Sequence, residues 1–302
     1  MEAYRKPYLY PAVAGMLVVV WALAVSGGAI ANGHPTYWFA FGLAFLGCGT
    51  GIVVAIRLGG SPTKPIRSTI AAVALAAMAF GTWWFIPLEA TEIALGALQS
   101  DDVVAVASTR TEILLSPSTG DPSSTGLIFL PGGKVDARAY ARILRPIAAA
   151  GHEVVIVKPP LGVAFLAPNR AATWADEHPD QERWIVAGHS LGGVVAAQNA
   201  SNSDSLGGLV LWASYPAEDV SDPPFEAVSV FGTNDVLTTL DAIEASRSEL
   251  PLGTVFVAVE GAIHGFFGDY GDQPGDGQPG ISREDAQDAI VDATLEFLIG
   301  LG

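Results

Sequence analysis

Cysteine occurs once in 302 residues, as Cys48. A single thiol excludes a disulfide framework and any multi-cysteine zinc site. Charge is scarce: Asp, Glu, Lys and Arg make up 15% of the chain, against about 25% in an ordinary soluble domain. Positive charge is scarcest, with 15 Lys and Arg against 31 Asp and Glu, a net charge of −16. A chain without a basic face does not bind a phosphate backbone, so nucleic acid is not an expected partner. Half of the residues are hydrophobic, which excludes a disordered chain and argues against a fully soluble one.

The few charges are unevenly placed. Residues 1–88 carry five bases (Arg5, Lys6, Arg57, Lys64, Arg67) and one acid, Glu2; residues 89–302 carry ten bases and thirty acids. The break predicts two regions in different surroundings, a membrane anchor over 1–88 and a second domain over 89–302. The anchor holds three uncharged apolar runs, 11–31, 36–56 and 69–88. Each is about 20 residues, enough to cross a hydrocarbon core of about 30 Å at about 1.5 Å per residue. None shows the polar stripe of a surface helix. A lipid bilayer is therefore the expected partner of residues 11–88. Arg5 and Lys6 precede the first run, Arg57, Lys64 and Arg67 follow the second, and the loop 32–35 has no base. Positive loops stay cytoplasmic, so the N-terminus is expected inside and residue 88 emerges outside. Tyr37, Trp38, Trp83, Trp84 and Phe85 then fall at the outer interface, and Tyr4, Tyr8 and Tyr10 at the inner one. Ala29-Ile-Ala31 has the form of a signal-peptidase site, but the apolar run is long for a signal peptide and an uncleaved anchor is expected. Gly47 and Gly51 form a GxxxG pair, read here as plain small-residue content.

After residue 88 the pattern changes to short apolar runs divided by Gly, Pro and Asp. Eight strands are predicted, at 103–107, 112–115, 127–130, 154–157, 184–187, 209–213, 228–231 and 255–259. Most are continuous apolar runs, as in strands buried on both faces. Helices are predicted at 137–150, 191–200, 236–249 and 283–298, the last opened by the N-cap pattern of Ser282 and Asp285. Strands alternating with helices imply an α/β domain with a mainly parallel eight-stranded sheet covered on both faces. Its active site is expected at the carboxyl ends of the strands.

Gly188-His-Ser190-Leu-Gly192 fits G-x-S-x-G between a predicted strand and a predicted helix. Such a strand-to-helix turn presents a serine hydroxyl as nucleophile. A serine needs a base and an acid that orients the base, in the chain order Ser, Asp/Glu, His. His264 is the only histidine after Ser190, and it follows the last predicted strand. Asp235 follows the strand 228–231; Asp219 and Asp222 are rivals for the acid. An oxyanion hole needs backbone N–H groups. Leu191 is the expected first donor, and Gly133 in Leu130-Pro-Gly-Gly-Lys134 the second, with Lys134 as the near alternative. His34, His152, His178 and His189 are read as structural. No metal or organic cofactor is required by this chemistry.

These residues resemble the α/β-hydrolase superfamily. Leu130-Pro-Gly-Gly-Lys-Val-Asp136 and His264-Gly-Phe-Phe-Gly-Asp-Tyr-Gly271 are similar to a subgroup of dienelactone-hydrolase-like proteins. The resemblance covers about 100–302 and leaves out the three apolar runs. It implies an α/β-hydrolase fold and hydrolysis by a Ser-His-Asp triad through an acyl-enzyme, without supplying a substrate. Pro131 departs from many esterases, which carry His before the oxyanion glycine. Only a short segment, 215–227, joins the sixth and seventh strands, so no large lid is expected. Asp269, Asp272 and Asp276 lie on a Gly-rich loop that could bind Ca²⁺, but their spacing fits no EF-hand and a solvated flap is expected. The acidity of residues 89–302, which hold only Lys134 and Lys158 as lysines, fits either a high-salt surface or ordinary export. The function expected is a membrane-anchored serine hydrolase of the carboxylic-ester class, acting on a small-molecule ester, lactone or related acyl bond. Its catalytic domain is expected outside the cytoplasm. The alternative is a non-catalytic membrane receptor or scaffold on the same fold.

Overall fold

A computed structural model describes residues 8–57, 65–120, 122–222 and 225–301. Tyr4, Arg5, Lys6 and Lys64, used above for orientation, lie outside the described residues. The chain divides into two compact units, Met1–Pro87 and Leu88–Gly302.

The first unit holds three helices long and apolar enough to cross a membrane. They are α1 (Leu9–Asn32), α2 (Thr36–Arg57) and α3 (Pro65–Trp84). At most a third of each span is buried against its neighbours. Leu17, Phe39, Leu43, Leu46, Ile70 and Phe80 stand outward, as expected of helices solvated by lipid rather than water. The third helix stops at Trp84, four residues short of the predicted run. Pro87 disfavours helical backbone in the residue before it. Helix α1 contains a kink at Ser26, whose hydroxyl donates to the Pro87 carbonyl at 2.7 Å; a Ser-Gly-Gly sequence there is a common cause of such a bend. The two glycines of GxxxG correct the expectation of mere small-residue content. A Cβ at Gly51 would stand 3.1 Å from Ala12 of α1 and 3.2 Å from Leu75 of α3, and one at Gly47 would stand 3.0 Å from Met78. Both mark places where helices close up.

The second unit is built on eight strands: β1 (Val104–Ser108), β2 (Glu112–Pro117), β3 (Thr125–Leu130), β4 (Val154–Val157), β5 (Arg183–His189), β6 (Leu206–Trp212), β7 (Glu226–Gly232) and β8 (Val255–Val259). Their order across the sheet is β1-β2-β4-β3-β5-β6-β7-β8. The hairpin β1–β2 and the pair β2–β4 are antiparallel, and every other pair is parallel. The remaining helices are α4 (Glu92–Gly96), α5 (Ala141–Ala149), α6 (Arg170–Glu177), α7 (Leu191–Asn202), α8 (Leu240–Ala245) and α9 (Arg283–Gly300).

The apolar runs explain the layers. In β3 every residue is buried. Leu127 and Phe129 join one core with α5 and α9, and Ile128 and Leu130 join a second core with α6 and α7. Successive side chains of a strand point to opposite faces, so a run without polar residues needs cover on both. The predicted helix over 236–249 begins only at Leu240. The Asp235 carboxylate accepts the N–H groups of Leu237 and Thr238 at 2.8 Å each and holds them in a turn. Thr239 then caps the helix by accepting from Ala242.

Candidate active site

Residues Leu130, Gly188, Leu211 and Ser229 pair across β3, β5, β6 and β7 in one row. Parallel strands in this register bring the following loops to one edge. Among the described residues, four that are not glycine have a positive φ: Lys134 (61°), Leu161 (51°), Ser190 (51°) and Ala213 (44°). They follow β3, β4, β5 and β6 in turn. Backbone in this region is strained for a side chain with Cβ, and strain gathered at one place is a pointer to a functional site.

Ser190 sits between β5 and α7 with φ 51° and ψ −124°. Its N–H donates to the Trp212 carbonyl at 3.0 Å and its carbonyl accepts from Gly193 at 2.9 Å. Ser214 also donates to that carbonyl, at 2.7 Å. The turn is held on both sides and the hydroxyl is left half-exposed, donating to no protein acceptor among the described residues. The glycines make this possible. A Cβ at Gly188 would strike the Gly192 backbone, and one at Gly192 would strike the Leu130 and Pro131 carbonyls.

Asp235 and His264 come together although 29 residues separate them. His264 Nδ1 donates to Asp235 Oδ2 at 2.8 Å, and both residues are only 4% exposed. The other oxygen, Oδ1, carries the Leu237 and Thr238 N–H bonds, so the carboxylate is fixed by three donors. The rival acids do not reach this histidine: Asp219 caps its own turn through Ser221, and Asp222 is exposed.

The two expected oxyanion donors are neighbours. A Cβ on Gly133 would stand 3.0 Å from the Leu191 side chain. Of three consecutive N–H groups in the loop, Gly132 donates to the Tyr140 hydroxyl at 2.9 Å and Lys134 to the Gly162 carbonyl at 2.7 Å. Among the described residues, the Gly133 and Leu191 N–H groups donate to no protein acceptor, which separates Gly133 from its near alternative.

Two features escaped the sequence. The first is Asp276. It accepts the backbone N–H groups of His264 at 3.1 Å, Gly265 at 2.7 Å and Gly277 at 2.7 Å. Asp269 is buried, near Arg142 at 3.7 Å and bonded to Gln287 at 3.1 Å. The loop is solvated at Asp272 and over 278–280, as expected of a flap, but through Asp276 it also clamps the histidine backbone. Among the described residues no three His, Cys, Asp or Glu side chains gather closely enough to hold a metal ion. The spacing of acids along a loop gave no sign of which backbone they would reach.

The second is the layer beneath His264. The ring of His189 lies 4.6 Å from that of His264 and stacks on Phe267 at 5.8 Å. The Tyr140 hydroxyl accepts from Gly132, which leaves its own proton for His189 Nδ1, 2.8 Å away. His189 Nε2 is buried and makes no well-formed hydrogen bond. Burial, and then the neighbouring His264, push the His189 pKa well down, with the His264 carbonyl offsetting this only in part. His189 is therefore neutral where it packs against the candidate base. Unfolding exposes it, and the unfolded ring takes a proton below about pH 6.5. The unfolded state then binds more protons than the folded one, so stability falls as pH drops through that value, by about 1.4 kcal/mol per pH unit. At higher pH neither state is protonated and the contribution disappears. Unfolding midpoints of the native chain and His189→Gln, compared from pH 7.5 to pH 5, are expected to show the smaller pH slope in the variant. Equal slopes would mean that folded His189 is charged.

The model of the alpha/beta hydrolase family matches residues 126–288, more than half of the chain, and the chain belongs to that family. Solved structures similar to it include an alpha-beta serine hydrolase homologue from Coxiella burnetii, at 16% identity and TM-score 0.46, covering 65% of this chain and 98% of that one. A protein from Klebsiella pneumoniae assigned as a dienelactone hydrolase has 16% identity and TM-score 0.48, with the same coverage. The esterase domain of a Rhodothermus marinus protein has 13% identity and TM-score 0.48, covering 62% of this chain and 90% of that domain. No curated protein matches the chain.

Proposed function

We propose that this hydrolase is a membrane-anchored serine hydrolase that cleaves an ester, lactone or related acyl bond through an acyl-enzyme. The observation that carries the reading is the buried 2.8 Å bond between His264 and Asp235, at the same sheet edge as a serine in strained backbone. Ser190 attacks the acyl carbon. Asp235 binds Nδ1–H, which leaves Nε2 as the nitrogen that takes the serine proton and returns it to the leaving group; Nε2 then takes a proton from the water that attacks the acyl-enzyme and returns it to Ser190 as the acid leaves. The Asp235 charge stabilises the imidazolium formed in between. The N–H groups of Gly133 and Leu191 hold the oxyanion as the carbonyl becomes tetrahedral. Residues 1–88 anchor the chain in a bilayer with the N-terminus inside, and residues 89–302 form the catalytic domain outside.

One experiment tests chemistry and orientation together. A charged fluorophosphonate that does not cross membranes is applied to intact cells, since only an activated serine reacts with it. Labelling of the chain, absent in Ser190→Ala, is the expected result. Labelling only after lysis would reverse the orientation, and no labelling in either case would remove the serine-hydrolase reading.

A further inference from the structure

The domain that surrounds the site carries thirty acids and ten bases, yet the loop 159–169 after β4 and one stretch of each loop after β6 and β7, 213–217 and 236–239, carry no charged side chain; the charges of those two loops are Glu218, Asp219, Asp222 and the buried Asp235. Ser190 leaves β5 at the centre of the sheet. β3 and then β4 lie on one side, and β6 and then β7 on the other. With strands about 4.8 Å apart, the loops after β4 and β7 stand within about 10 Å of the line of β5 on either side. Each loop is tied to the site by a hydrogen bond. The Gly162 carbonyl takes the Lys134 N–H, Ser214 donates to the Ser190 carbonyl, and Asp235 accepts from Leu237.

These loops also expose apolar side chains. Phe165, Leu166, Tyr215, Val236 and Leu237 are each 38 to 54% exposed. Leu161, a large residue held at φ 51°, begins the same collar. Apolar side chains gathered on an otherwise acidic surface mark a binding site, and strained backbone is retained where function needs it.

We infer that this collar is the acyl-binding surface and that the substrate class is an ester with an apolar acyl chain of several carbons, lying along one arm of it from Ser190. The inference rests on the serine-hydrolase reading. A fully buried methylene is worth about a factor of four, and a collar open to solvent on one side captures about half of that free energy, a factor of two per methylene. Between acetate and octanoate, six methylenes apart, this amounts to roughly 60-fold in kcat/KM.

The test uses the full chain in lipid nanodiscs with 4-nitrophenyl esters from acetate to octanoate, below their aggregation concentrations. The expected result is a steady rise in kcat/KM with chain length. One of Leu166→Ser and Val236→Ser, on whichever arm takes the acyl chain, is expected to lower the octanoate-to-acetate ratio several-fold, and the other to leave it in place. The ratio is independent of the fraction folded, so a poorly folding variant still reports. Acetate hydrolysis with a flat or falling profile overturns the collar and leaves the hydrolase standing. A rise that survives both substitutions overturns its location. Failure of every ester, together with failure of fluorophosphonate labelling at Ser190, overturns the hydrolase reading and the inference with it.

Discussion

Ser190→Ala and His264→Ala are each expected to lower hydrolysis by about 10⁴-fold or more, and the double variant to be no worse than either single one, because groups that act as a unit do not add. Asp235→Asn has a more specific expectation. Oδ1 accepts two backbone N–H groups, from Leu237 and Thr238. An amide at this position keeps its oxygen on those donors and turns its NH₂ toward His264. The NH₂ then donates to Nδ1, the ring proton moves to Nε2, and the base is lost in the wrong tautomer. A fall of up to about 10⁴-fold in kcat follows. Asp222→Asn is expected to leave activity unchanged. Kinetics on a short-chain aryl ester check all five variants. If Asp222→Asn were inactive and Asp235→Asn active, the acid assignment would be wrong.

Gly192→Ala is expected to be among the most damaging single methyl groups in the second unit. The added carbon would overlap the carbonyl oxygens of Leu130 and Pro131. Neither is the end of a flexible side chain, so either the end of β3 or the start of α7 has to move. Failure to fold, with a loss above about 4 kcal/mol, is the expected range for such a clash. If α7 shifts instead, the N–H groups of Gly133 and Leu191 separate, and kcat falls by about 10²- to 10³-fold through the oxyanion. Gly96→Ala is the control. It lies at the end of α4 with nothing within 4 Å of the added carbon, and a helical Ala is no less favourable than Gly. Thermal unfolding and fluorophosphonate labelling of both variants separate the outcomes. A Gly192→Ala protein with native stability and full labelling would show that the turn is looser than its packing implies.

Local pattern carried most of the secondary structure. The eight strands were legible because each is a short apolar run bounded by turn residues, and buried strands have no other way to look. The three long apolar helices were legible because none of their runs carries a polar face. The serine turn was legible because its glycines and its place between a strand and a helix are local. The start of α8 was misjudged for a reason outside propensity. Asp235 binds the two N–H groups that a helix from 236 would have used, and the sequence cannot show where a carboxylate will turn.

Chain order and residue type were enough to pick out Ser190, Asp235 and His264 as candidates, since one histidine follows the serine and one Asp follows the right strand. Only the tertiary structure brought Asp235 rather than Asp222 to His264, left Gly133 rather than Lys134 with an uncommitted N–H, and set Asp276 against the histidine backbone. It also laid His189 and Tyr140 beneath the candidate base and set three uncharged stretches of loop around the serine. The physical reason is the same in each case. Composition and periodicity report which residues leave water, a property of neighbours along the chain. Hydrogen-bond partners and shared edges depend on how parallel strands far apart in sequence are ordered in the sheet.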